Sequence, residues 1–141
     1  MLGMKSYSKE YIASCRARIK RDMKAYSELP VTAKKRLEHT FFNNLLLALE
    51  YSFVHRLAGS EGKDGNPLNE VRVLCNSLVL NEGKVQVERL PNWPMSAVSG
   101  LRLPPAKSVL GLKPGDKIAL TESDFTRLSD AFFIELEKRF S

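Results

Sequence analysis

Apolar residues recur near the start of the chain at spacings of one, three and four: Tyr11, Ile12, Cys15, Ile19, Met23 and Tyr26. That rhythm predicts an amphipathic helix with Ser8 as its cap and Pro30 as its stop. A second helix is predicted from Ala33 to about Ala58, capped by Thr32. It contains the longest apolar stretch, TFFNNLLLALEYSFVHRL, from Thr40 to Leu57. At about 100° per residue, Phe42, Leu45, Leu46, Leu49, Phe53 and Leu57 share one broad face. Phe41, Leu47, Ala48, Tyr51 and Val54 cover much of the rest. A helix apolar nearly all round belongs at the centre of a bundle or in a subunit contact. Asn43 and Glu50 share one strip of it, and Asn44 and His55 another. Buried, such groups need partners, because an unmet polar group costs roughly 1–3 kcal/mol.

The glycine-rich run from Gly59 to Asn66 predicts a loop. Asn66-Pro67 then opens a third helix, with Leu68, Val71, Leu74, Cys75 and Leu78 inward and a stop at Asn81 to Gly83. Alternation in KVQVERL predicts a strand near 84–90. An irregular, proline-rich connection carrying Trp93 runs from Pro91 to Lys107, a length typical of lids and binding loops. Residues 108–120 predict a hairpin about the turn Lys113-Pro114-Gly115-Asp116. Thr121 with Asp124 forms a capping box for a last helix that buries Phe125, Leu128, Phe132, Leu136 and Phe140. The expected fold is mainly α: one domain over residues 1–141, a bundle of about four helices with a small β element before the last.

Charge changes this picture through its placement. The chain of 141 residues carries a net charge of +6. Residues 1–40 hold ten Lys and Arg against four Asp and Glu, so the entire excess lies there. Arg16, Arg18, Lys20, Arg21 and Lys24 populate the first helix. Lys34, Lys35 and Arg36 sit in the first turn of the second, where the helix dipole disfavours cations. Nonspecific nucleic-acid binding through these eight residues is one expected function, without any motif for base reading. The start of the chain has no signal-peptide pattern and no apolar run long enough for a membrane, so a cytoplasmic location and no membrane partner are expected.

The chain shows no strong catalytic motif. His39 and His55, sixteen residues apart on one predicted helix, point to nearly opposite sides and cannot share a metal. Cys15 and Cys75 are isolated and read as reduced thiols. The glycine-rich loop lacks the ending of a P-loop. No metal or cofactor is therefore expected. The best candidate site, for a small ligand or for catalysis, is the corner between the second and third helices. There His55 and Arg56 close one helix, while Asp64, Asn66, Asn69, Glu70 and Arg72 surround the start of the next, with the Trp93 loop as a lid. Glu70 or Asp64 is the expected partner of Arg56. The plain alternative is a salt-bridged helix corner, and it outweighs the site. The leading functional expectation is association as a homodimer or with a protein partner, because the all-round apolar helix implies more surface than one chain covers.

Overall fold

Local signals place the helix ends in the computed structural model, which describes residues 3–87, 104 and 106–141. Ser8 accepts the Tyr11 amide and starts α1, Lys9–Ser27. Asn66 accepts the amides of Leu68 and Asn69 and starts α4, Pro67–Leu80, with proline in the first turn. Thr121 and Asp124 form a complete capping box at α5, Glu122–Phe140. α2, Val31–Ser52, begins one turn after the α1 C-terminus and takes Pro30, not Thr32, as its cap.

The protein is mainly helical. Four long helices pack together, α4 against α5 and α2, α1 against α2, and α2 against α5. A single turn, α3, Ala58–Glu61, occupies part of the expected loop. The second helix is shorter than its apolar pattern predicts. It ends at Ser52, and the chain turns through Phe53 to Val54 before reaching Arg56. Nor is α2 wrapped on all sides. Phe42, Leu45, Leu46, Leu49 and Glu50 are buried, but Thr40, Asn44, Ala48 and Tyr51 form an exposed stripe. The helix enclosed on nearly every side is α4, where every residue from Leu68 to Cys75 is buried.

The expected β element is absent among the described residues, which include 84–87 of the strand predicted near 84–90 but not 88–90. In its place stand one isolated antiparallel bridge, Lys84 to Lys117, and one parallel bridge, Met4 to Arg56. The reason is competition for backbone partners. Val85 N–H donates to Asp116 O (2.9 Å) and Ile118 N–H to Gly83 O (2.8 Å), which makes a short clasp. Beyond it, side chains take the place of a ladder. Asn43 donates to Ile118 O (3.0 Å) and accepts from Leu120 N–H (3.1 Å). Buried Glu70 accepts from Ser108 Oγ (2.9 Å), Val109 N–H (2.7 Å) and Leu110 N–H (3.1 Å). The arms of the predicted hairpin are thus bound to α2 and α4 instead of to each other. The turn itself forms, with Asp116 N–H donating to Lys113 O at 3.0 Å.

An N-terminal strap completes the bundle. Met4 N–H donates to His55 O (2.7 Å), Leu57 N–H to Met4 O (2.8 Å) and Tyr7 N–H to Phe140 O (2.7 Å). Gly3 permits the approach, because a Cβ there would stand 2.8 Å from Leu57 Cα.

Candidate binding groove

The polar corner forecast from the sequence exists, but with different partners. Arg56 is fully buried and pairs with Glu50 (2.9 Å) and Glu61 (2.8 Å). Arg72 closes the ring with Glu61 at 2.7 Å and Glu50 at 3.6 Å. Two arginines and two glutamates give a ring with no net charge. Arg56 also donates to the carbonyls of Phe53 and Leu68, both at 3.0 Å, beneath the Phe132 ring. Those bonds tie the turn after α2 to the first turn of α4. Arg72 on α4 meets Glu50 on α2, while Cys75 Sγ donates to Leu46 O at 3.5 Å, so the two helices run antiparallel.

Burial acts most strongly on Glu50 and raises its pKa, although Arg56 and Arg72 pull it down. Burial also pushes on Glu61, but the Arg72 hydrogen bond, the charges of both arginines and the Asn69 amide together hold it below the ordinary carboxylate value. The difference has a geometric basis. Glu61 accepts aligned bonds from Arg72 and from Asn69 Nδ2 (2.8 Å), whereas Glu50 Oε1 has a charged neighbour but no aligned donor.

The other corner residues serve the loop. Glu70 holds residues 108–110, as described, and does not meet Arg56. Asn66 caps α4 and donates to Asp64 (2.7 Å) and Glu61 O (2.9 Å). Asp64 pairs with Arg139 of α5 at 3.3 Å, and Arg139 also donates to Glu61 O at 3.1 Å. Gly62 adopts φ +78 where Arg139 passes close by. The cavity beside the ring is only about 90 Å³. Ligand sites commonly span about 300–1,000 Å³. The corner is therefore a buried joint. Trp93, the expected lid, lies outside the described residues.

His55 turns away from this joint and lines a groove that the sequence reading did not identify. The strap, the first turn of α1 and the end of α2 enclose about 580 Å³ there, between Met4, Tyr7, Tyr11, Tyr51 and His55. Tyr7 and Tyr11 stack with centroids 5.6 Å apart, and both meet Phe53 edge-on. The Tyr11 hydroxyl donates to Ser52 O at 2.5 Å, so its ring is held in place. Burial pushes the Tyr7 hydroxyl up to about 12, against the pull of Arg56. Three large apolar side chains remain open at this groove: Met4 at 46% exposure, Tyr11 at 45% and Tyr51 at 79%. Tyr11 also borders a second cleft of about 440 Å³ lined by Ser14, Cys15, Arg18 and Arg21.

The eight basic residues do not form one footprint. Arg18 leans over the groove and donates to Ser52 Oγ at 2.5 Å. Arg16 is drawn to α5, paired with Glu137 at 2.8 Å and placed 4.5 Å over the Phe133 ring. Lys20 lines a cleft between α1 and α5. Lys24 is exposed in the last turn of α1. Lys34, whose carbonyl accepts from Tyr26 (3.0 Å), lies with Lys35 and Arg36 at the opposite end of the α1–α2 pair from the groove. His39 Nδ1 lies 3.1 Å from Leu120 O on α2, while His55 faces the groove.

No protein-family model matches this chain, and comparison with curated proteins and with solved structures finds no match either. The class is set by the structure alone: a mainly α-helical protein whose described buried charges are ion-paired or, for Glu70, hydrogen-bonded, and whose aromatic groove is open. Among the described residues, no helix is long and apolar enough to cross a membrane.

Proposed function

We propose that the protein works by binding, and that the seat is the groove between the N-terminal strap, α1 and α2. One observation carries this reading: Met4, Tyr11 and Tyr51, all substantially exposed, converge with Tyr7 and His55 on a single cleft. Exposed apolar residues scattered singly are ordinary, but a cluster around a concavity marks an interaction site. The cytoplasm is the proposed compartment. Titration with indole, a small planar aromatic, tests the seat by amide chemical shifts. Shifts centred on Ser6, Tyr11 and His55, lost in Tyr51→Ala, are expected. Shifts centred elsewhere, or a response indifferent to Tyr51→Ala, overturn the assignment.

Self-association as a dimer is a second reading. The all-round apolar helix no longer supports it, since α2 has a wet stripe. Its support is now the exposed Ile134 of α5, beside a cleft of about 440 Å³ that Ile19, Met23 and Phe133 help to line. A monomeric mass by light scattering at micromolar concentration removes it.

A further inference from the structure

The groove and the second cleft adjoin at Tyr11, which lines both and is 45% exposed, so a path over its ring leads from one to the other. Neither lining contains an aspartate or a glutamate. Aromatic rings stand at one end and the guanidinium groups of Arg18 and Arg21 at the other. Ser6, Ser8 and Ser52 also line the groove, and Ser14 lines the cleft. Arg21 has a loose contact with Asp22 at 4.0 Å and a largely exposed side chain. From these residues we infer that the path takes single-stranded nucleic acid, with bases stacked on Tyr51 and Tyr11 and phosphates at Arg18 and Arg21.

The chemistry selects this occupant over an apolar peptide. Every base offers a π-face, so stacking tolerates any sequence, and a cationic track beside the rings holds the backbone. Tyr11 and Arg18 are two turns apart on one helix, roughly 10 Å along its axis. That separation lets one short stretch of strand meet both. An apolar peptide brings no anion to Arg18, which among the described residues has only the neutral Ser52 Oγ and Cys15 Sγ, or to Arg21, whose contact with Asp22 is loose. A duplex hides the faces of its bases and offers Tyr51 and Tyr11 nothing to stack on. The basic excess of residues 1–40 adds long-range attraction for a polyanion.

This inference rests on the groove being the binding seat, and its test separates the two. Fluorescence anisotropy of a fluorescein-labelled oligothymidylate is followed against protein concentration at several salt concentrations. Binding should weaken steeply with salt. Tyr51→Ala, at an exposed position, should weaken it about 5- to 100-fold, the usual loss of one stacking platform. Arg21→Ala should reduce the salt slope by roughly 0.7, the share of one phosphate contact on a single strand. Lys35→Ala with Arg36→Ala, at the far end of the helix pair, should change the affinity much less than Tyr51→Ala. Equal binding of a matched duplex, equal losses from the Lys35/Arg36 and Tyr51 variants, or no salt-dependent binding each overturns the inference. Indole binding without oligonucleotide binding leaves the groove standing and removes the nucleic acid. Loss of both removes the groove as well.

Discussion

Replacing Arg56 by methionine leaves Glu50, Glu61 and Arg72 in the joint with a net charge of −1. It also strips donors from Phe53 O and Leu68 O. Removing one partner of a buried pair typically costs about 3–5 kcal/mol. Against a total stability of roughly 5–15 kcal/mol, that is enough to bring the chain close to unfolding. Replacing Glu50 by leucine should cost less, because burial already disfavours its ionised form. The double variant Glu50→Leu/Arg56→Met leaves the Arg72–Glu61 pair, at 2.7 Å, balanced and intact. What it does not restore is the guanidinium bonds to the two carbonyls, about 0.5–1.5 kcal/mol each, since both carbonyls keep a backbone donor. The double variant should therefore be more stable than Arg56→Met alone, with a coupling energy of about 2 kcal/mol or more. Urea unfolding followed by far-ultraviolet circular dichroism measures this, and a change of 3–5 kcal/mol moves the midpoint by roughly 2 M. A double variant as unstable as the sum of the two singles refutes the closed ring. If Arg56→Met does not fold, the double variant still must.

Glu70→Ala should destabilise the protein by about 2–4 kcal/mol, since it leaves the Val109 and Leu110 amides unmet. Hydrogen exchange at those two amides should accelerate, and unchanged protection there contradicts the assigned anchor. Gly3→Ala should force the strap from Leu57 and cost roughly 1–3 kcal/mol by overpacking. Indole binding should weaken with it, so a variant of wild-type stability and affinity argues against the strap as a groove wall. The two acids of the joint give opposite pH slopes. The raised pKa of Glu50 means stability present below about pH 4.5 and lost as pH rises through its folded value. Glu50→Gln should therefore gain on the wild type as pH climbs from 4 to 7. The lowered pKa of Glu61 means stability present above its unfolded value and lost as pH falls through its folded one. Wild-type urea midpoints should thus decline in acid below about pH 4.5, and a flat profile denies Glu61 its pairing.

The helices were legible where local chemistry decides them. Ser8, Asn66-Pro67 and the Thr121–Asp124 box act on their own neighbours, so the sequence places them correctly. The β element failed because alternation predicts which face is buried, not what the backbone bonds to. Val85, Ile118 and Leu120 are buried as the alternation requires. The Ile118 carbonyl and the Leu120 amide, however, are met by Asn43 on a distant helix. Hydropathy found the helix that packs against the three other long ones, α2, but not the most enclosed one. It favoured α2, whose apolar residues include the open Tyr51 and Ala48, over α4, whose buried face includes Asn69, Glu70 and Arg72. Each of those three has a partner far along the chain or across a turn, and pairing is invisible to a sum over side chains.

The same limit explains the two candidate sites. The sequence brought Arg56, Glu70, Asp64 and Arg72 to one corner by loop length, which was right, but partner choice depends on where α2 stops. Because the helix ends at Ser52, Arg56 swings inward to Glu50 and Glu61, and Glu70 is left to the returning chain. That turn also frees Tyr51 and His55 from any helical neighbour beyond them. It lets residues 3–7 cross in front, so one early helix stop creates both the closed joint and the open groove. A signal was present in the sequence: Tyr7, Tyr11 and Tyr51 exceed what one core stripe needs. It could be used only once Met4 was known to pair with Arg56, a contact between residues 52 positions apart.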